Sequence, residues 1–298
     1  MKNGNERDFV GYGPTPPLVE WPGGARIAIS FCVNYEEGSE SSPYFGDQSQ
    51  ATFGGPFQAR PPGVRNPAAE SMWEYGARAG GWRVLRVLQQ EGVKAAFFVC
   101  AVALERNPQF AKAITDNGHD VVGHGYRWIQ QWDMERDAEK AYIHQAVESI
   151  TRTTGRRPYG WFSRSGPSMN TREILKEEGF LYDSETFSDD LPYYVENQKE
   201  PWLIIPYAFD SNDSAGNTWH TAEDFFQYLK DSFDVLYEEG ATSPKMLSIG
   251  LHTRVSGRPG QAAAITRFLR YAKGHQKVWF AGRDEIARWW REQYPPQG

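Results

Sequence analysis

Apolar residues along this chain change their spacing in a repeating order. Residues 26–35, RIAISFCVNY, form a near-continuous apolar run rich in β-branched and aromatic side chains, the pattern of a strand buried on both faces. The run stops at Glu36-Glu37-Gly38, and residues 39–67 are punctuated by Ser, Gly and Pro. An insertion of that length is predicted to be a loop that covers a pocket. Helical spacing follows at Trp82, Leu85 and Leu88, then a strand-like run, VKAAFFVCAVA, over residues 93–103. The alternation continues with a helix over 108–117, a strand over 119–123, a long helix over 134–154 and a strand over 159–162. Beyond these lie a helix over 171–178, apolar segments at 180–183 and 202–206, and a helix over 221–239. A strand over 246–251 and helices over 262–273 and 284–291 close the pattern. Repeated strand-then-helix order implies a parallel sheet with right-handed crossovers, and so many units predict a barrel rather than an open sheet. The expected architecture is one α/β domain over residues 26–298, preceded by a Pro- and Gly-rich extended arm over 1–25.

Composition narrows the class. A chain of 298 residues that is 40% hydrophobic and 23% charged can fill one large core. No stretch approaches the roughly 18 consecutive apolar residues that span a bilayer. A net charge of −6 without a basic stripe argues against nucleic acid or an anionic membrane as partner and leaves a small-molecule substrate. The first eight residues are polar, with no apolar segment of a secretory signal, so a cytoplasmic location is expected. Cys32 and Cys100 both sit inside apolar runs and read as core thiols rather than a disulfide or a nucleophile. The arm and the Trp-rich C-terminus suggest subunit contacts.

Barrel enzymes assemble their sites just past the C-terminal ends of strands, so polar residues there carry the functional reading. Asn34-Tyr35-Glu36-Glu37-Gly38 places two adjacent carboxylates after a buried strand: either a solvated turn, or a base with a ligand or orienting group beside it. Gly123-His124-Gly125-Tyr126-Arg127-Trp128 flanks a histidine with glycines, which would let backbone and imidazole approach a substrate. Trp161-Phe162-Ser163-Arg164-Ser165-Gly166-Pro167 carries an arginine out of a strand, as a surface cation or a site residue. A fourth strand, Ser248-Ile249-Gly250-Leu251-His252, ends in a histidine, and Asp189 and Asp190 offer further carboxylates.

As an ordered set these segments resemble the polysaccharide deacetylase superfamily, over about residues 26–289. Val-Asn-Tyr-Glu-Glu-Gly stands in the place of that family's T-F-D-D-G motif, which makes Glu36 the counterpart of the base and Glu37 that of the metal-binding acid. In the family's H-[ST]-x-x-H motif His124 matches the first histidine, while Trp128 stands where the second ligand should be. His252 corresponds to the general acid and Arg164 resembles the arginine that orients the base. An indole nitrogen donates only, so the Trp removes the lone pair that zinc would need. The combination of N-Y-E-E-G, G-H-G-Y-R-W-I, D-D-L-P-Y and I-G-L-H is similar to the allantoinase-like branch, whose members hydrolyse cyclic amides and for which a metal-free mechanism has been proposed.

The resemblance implies a distorted (β/α) barrel and a hydrolase that opens a five-membered cyclic amide such as a ureide. A cyclic imide hydrolase, a metal-dependent glycan N-deacetylase and a non-catalytic binding protein are the alternatives. Glu36 would act as general base, its pKa raised toward neutrality by burial beside Glu37, and His252 would protonate the leaving ring nitrogen. His124 with Arg127 or Arg164 would hold ring carbonyls, and Tyr35, Tyr126, Trp128, Ser165, Asp189 and Asp190 would line a small, closed pocket. No cofactor is expected. A divalent metal such as zinc, if held, would be held weakly by Glu37 and His124, completed by water or by Asp189 or Asp190. A homo-oligomer, a tetramer by the resemblance, is expected.

Overall fold

Strand β1 (Ile27–Tyr35), buried at every position, is the centre of the molecule. The computed structural model describes residues 7–52, 60–195, 201–214 and 221–296. Helix α1 (Pro67–Tyr75) runs through a π-turn at Gly76–Gly80 into α2 (Gly81–Gln90). Strand β2 (Ala96–Val99) leads to α3 (Ala101–Arg106) and α4 (Pro108–Asp116), and β3 (Asp120–Gly123) leads to α5 (Arg136–Thr154). Next come β4 (Gly160–Trp161), α6 (Thr171–Glu177), β5 (Tyr182–Asp183), β6 (Tyr193–Val195) and β7 (Trp202–Ile204). The chain continues through α7 (Ala222–Glu239), β8 (Lys245–His252), α8 (Thr253–Ser256), α9 (Pro259–Lys273), β9 (Val278–Phe280) and α10 (Arg283–Gln293).

The strand order is β6-β7-β5-β4-β3-β2-β1-β8, with β9 paired to the start of β1. All pairs are parallel except β6 with β7. Between β7 and β8 the ladder is replaced by irregular chain: Gly250 N–H donates to Ser211 O at 2.9 Å and Asp213 N–H to Gly250 O at 3.0 Å. The sheet therefore curls into a half-barrel with helices around it, the distorted (β/α) architecture expected, in a single domain.

Period-two alternation decides what faces the barrel interior. On β1, Ile27, Ile29, Phe31, Val33 and Tyr35 pack outward into the main core beneath the helices. Cys32 points inward, to a small cluster with Phe98, Val122 and Tyr207. On β8, Leu247, Ile249 and Leu251 go outward in the same way. Inward positions thus lead toward Asn34 and His252 at the strand ends, where the interior opens.

Two segments differ from the sequence expectation. The apolar run over 93–103 is strand only to Val99 and then helix α3. Ala101 and Val102 N–H groups donate to the carbonyls of Gly125 and Tyr126, so the backbone leaves the ladder while its side chains stay buried; hydrophobicity alone does not separate those two outcomes. The short strands β6 and β9, three residues each, lie in segments with no expected strand. Cys32 and Cys100 are free and buried, as core thiols.

The end of the N-terminal arm docks onto α10. Trp21 is buried, packs on Trp279 and Trp290 at 5.6 and 5.7 Å, and donates Nε1–H to Lys245 O at 3.0 Å. The indoles of the Trp-rich C-terminus thus find partners within the chain. Described parts of the 39–67 insertion are also pinned: Glu40 bridges to Trp128, and Asp47 pairs with Arg127 at 2.6 Å. Residues 53–59 of that insertion lie outside the described residues. Among the described residues no helix is long and apolar enough to cross a membrane.

Candidate active site

The inward positions at the C-terminal ends of β1, β3, β4 and β8 converge on one pocket of about 700 Å³, lined among others by Asn34, Glu36, His124, Trp128, Arg164, Ser165 and His252. That volume is ordinary for small-molecule sites and exceeds what a bare five-membered ring occupies, so the pocket is roomier than expected. Phe162 and Tyr207 form an aromatic wall, stacked at 4.4 Å, and Phe162 lies parallel to the His124 imidazole at 5.3 Å. Phe187 and Phe209, more than half exposed, stand at the mouth.

Glu36 sits in this pocket, 1% exposed, in a fixed ionic setting. Its Oε1 lies 3.0 Å from His124 Nε2 and 3.9 Å from His252 Nε2, and its Oε2 lies 2.7 Å from Arg254 Nη2. Burial opposes ionisation of Glu36, but the Arg254 guanidinium, the His124 hydrogen bond and the His252 ring outweigh it and hold the carboxyl well below the usual range. This corrects the expectation of a base raised toward neutrality: the cation that decides it, Arg254, lies two residues beyond His252 and was not counted. His124 Nδ1–H donates to Phe162 O at 2.6 Å, so Nε2 meets Glu36 with one proton between them.

His252 is oriented by a residue the sequence reading missed. Asp213 Oδ1 accepts from His252 Nδ1–H at 2.7 Å, leaving Nε2 turned toward Glu36. Asp213 Oδ2 accepts from the His252 and Ser256 N–H groups at 2.7 and 3.2 Å and from the Ser256 hydroxyl at 2.5 Å. A signal was present in Asp210-Ser-Asn-Asp213-Ser, which follows an apolar run as strand-end motifs do.

Glu37 points the other way, as alternation requires of the residue after Glu36. Its Oε2 accepts from Glu36 N–H at 2.9 Å, and its Oε1 accepts from the Thr253 hydroxyl at 2.5 Å and lies 3.5 Å from Arg254 Nη1. Burial pushes its pKa up. Gly76, in the π-turn, packs directly on this carboxylate, where a Cβ would collide.

Several expected site residues serve elsewhere. Tyr35 alternates outward, packs on Phe110 at 4.4 Å with the rings tilted, and accepts from Asn107 at 3.0 Å. Tyr126 packs against the main core. Arg127 is engaged by Asp47 and Glu40, where it ties down the insertion instead of meeting a ring. Asp190 O accepts from Met246 N–H near the start of β8, which puts Asp189 and Asp190 at the opposite end of the sheet. The glycines beside His124 also have a packing reason: a Cβ on Gly123 would strike the Trp161 ring, and one on Gly125 the Tyr142 hydroxyl. Arg164 does reach the pocket, but the base-orienting ion pair belongs to Arg254; the Arg164 guanidinium lies over the Trp128 ring at 3.9 Å, with Nε buried and without a hydrogen-bond partner among the described residues. Glu185 Oε1 accepts from Ser163 N–H at 2.6 Å and fixes the turn that carries Arg164. Ser165, in that turn, has φ 60, a left-handed conformation that costs a non-Gly residue about 1–2 kcal/mol.

The donors do not fit a family-type zinc site. Glu37 is turned away from His124 and saturated by Thr253, Arg254 and the Glu36 amide, His124 commits both ring nitrogens, and Trp128 offers no lone pair. No cluster of three or more His, Cys, Asp or Glu suited to a metal occurs among the described residues.

The sequence pattern described as polysaccharide deacetylase matches residues 64–182. A Schizosaccharomyces pombe protein assigned to the polysaccharide deacetylases is 34% identical, over 97% of this chain and 98% of its own. A solved Pseudomonas aeruginosa structure with the same assignment is 47% identical, covers 98% of this chain and 99% of that chain, and superposes with a TM-score of 0.92. The crystal structure of PuuE allantoinase is 45% identical, with the same coverage of 98% and 99% and a TM-score of 0.92.

Proposed function

We propose, from the premise that this chain belongs to the polysaccharide deacetylase family and is a hydrolase of that family, that it opens a five-membered cyclic amide. The observation that carries the reading is the pair across the pocket floor. Glu36 and His252 approach to 3.9 Å, one held ionised beside Arg254, the other oriented by Asp213. Such a pair can serve the attacking water and the leaving nitrogen at once. The likeness to PuuE allantoinase, at 45% identity over 98% of this chain, supports the choice of a ring substrate.

In this mechanism Glu36 removes a proton from water as its oxygen attacks the ring carbonyl carbon. The carbonyl oxygen gains charge against the Arg164 guanidinium, whose Nε–H has no partner among the described residues. Collapse breaks the ring C–N bond, and His252, protonated on Nε2, gives that proton to the departing nitrogen. The proton on Glu36 then returns to His252, so one water is consumed and the pair is reset. Trp128, Phe162 and Tyr207 supply flat walls for a planar ring.

A substrate panel of allantoin, hydantoin, dihydrouracil, succinimide, maleimide and a chitin oligomer, assayed with and without chelator, tests the reading. Ring opening of a five-membered amide that survives chelation is expected. Acetate release from the chitin oligomer without any ring opening would overturn it.

A further inference from the structure

We infer that Arg254 is the resident cation of this site, standing among Glu36, Glu37 and the Trp128 ring in place of a divalent metal ion. The inference concerns a residue that no sequence motif singled out. Arg254 is fully buried at the side chain, with Nη2 2.7 Å from Glu36 Oε2 and Nη1 3.5 Å from Glu37 Oε1. The two acids at the metal-motif position thus share one guanidinium. Its carbon lies 4.0 Å from the Trp73 ring centre and 5.8 Å from that of Trp128.

The replacement of a ligand histidine by Trp128 then acquires a physical reason. A metal ion needs a lone pair directed at it, which indole lacks, whereas a guanidinium is held by the electron-rich face of an aromatic ring. Trp73 holds the guanidinium directly, and Trp128, 5.0 Å from Trp73 and carrying Arg164 on its ring at 3.9 Å, closes the aromatic wall at longer range, a setting that would be useless to zinc. Guanidinium is also weakly hydrated and permanently charged, so a buried place costs it less than it would an ammonium. Because Arg254 is walled off from the pocket by Glu36, it is a positioning residue: it fixes the angle and charge of the base without touching substrate.

Titration of the full chain with Co2+, followed by the visible absorption of the metal and by calorimetry, tests this. The native chain is expected to take up no Co2+ at Glu36, Glu37 and His124, and the double variant Arg254→Met with Trp128→His to bind one equivalent. One equivalent bound by the native chain, and lost in Glu37→Gln, would overturn the inference without requiring any variant at Arg254 to fold. Because the catalytic consequence rests on the ring-opening reading, it is measured separately. Arg254→Met is expected to lower kcat on the order of 10²-fold with KM little changed, and Arg254→Lys, which keeps the charge but not the planar fork, to restore only part of the loss. Equal losses in the Met and Lys variants, with thermal stability retained, would contradict the positioning role. If the native chain opens no ring at all, the ring-opening reading fails while the Co2+ titration still decides the place of the cation.

Discussion

Glu36 is a buried carboxylate that stays charged because three cationic or proton-donating groups surround it. Breaking one member of such a buried set typically costs about 3–5 kcal/mol, since the remaining charge is left uncompensated. Its ionised form adds stability above the unfolded carboxyl's value, and that stability is lost as pH falls through the lowered folded value. The acid limb of kcat/KM is therefore expected to lie free of Glu36 down to the ordinary carboxylate range, about pH 4. A pH profile of the native chain checks this; an acid limb near neutrality that vanishes in Glu36→Gln would contradict it. Asp213→Asn, which leaves the shape of the His252 support but removes its charge, is expected to lower kcat by about 10²–10⁴-fold with the fold intact by circular dichroism. At this scale Glu36, His124, Trp128, Arg164, Ser165 and His252 were legible because each sits at or just past the end of a readable strand. Arg254 was not, since it enters the site only through the tertiary turn of α8, and Asp213, in irregular chain paired to β8, was marked only by the polar run that follows an apolar segment. Tyr35 was misplaced by one step of alternation, which sends a side chain to the other face.

Among the elements, the π-turn between α1 and α2 has a defined task. Its glycines let the helix backbone approach Glu37 and Thr253 closely, and the glycine-rich segment Gly-Ala-Arg-Ala-Gly-Gly was the sequence sign of it. Gly76→Ala is expected to displace the Glu37 carboxylate and to lower both melting temperature and kcat; a variant indistinguishable from the native chain would contradict the packing argument. At the opposite end of the sheet, Asp120 at the start of β3 and Asp284 in α10 are close, with Asp284 N–H donating to Asp120 Oδ2 at 3.0 Å. Burial, then repulsion by Asp284, raises the pKa of Asp120, and burial raises that of Asp284. Raised carboxyls make the folded state hold protons more tightly than the unfolded chain, so stability declines as pH rises from the ordinary carboxylate range toward neutrality. Asp120→Asn is expected to flatten that decline in melting temperature between pH 4 and 8, about the interval in which such groups titrate. An unchanged slope would remove Asp120 as its source. Long, strongly patterned elements such as β1, α5 and β8 were readable, whereas β6 and β9 are too short to show a period, and α3 hides inside a continuous apolar run.

For the molecule as a whole, the barrel is incomplete and its seam is filled by irregular chain that supplies Tyr207 and Asn212 to the pocket and Asp213 to the far side of the His252 ring. The strand-then-helix alternation made the (β/α) architecture readable, but nothing in it marks where a sheet fails to close. Trp21 ties the arm to α10 on the far side of the sheet, and Trp21→Ala is expected to cost about 3–5 kcal/mol of stability, measured by denaturant unfolding, while leaving KM unchanged. The half-barrel thus brings one carboxylate and one histidine together from its two longest strands. The most direct measurement of the central claim is the turnover of a five-membered cyclic amide by the native chain, Glu36→Gln and His252→Ala under identical conditions. Ring opening by the native chain, with kcat lowered by about 10²-fold or more in each variant and their folds retained, is the predicted result. Ring opening that survives both substitutions would contradict it.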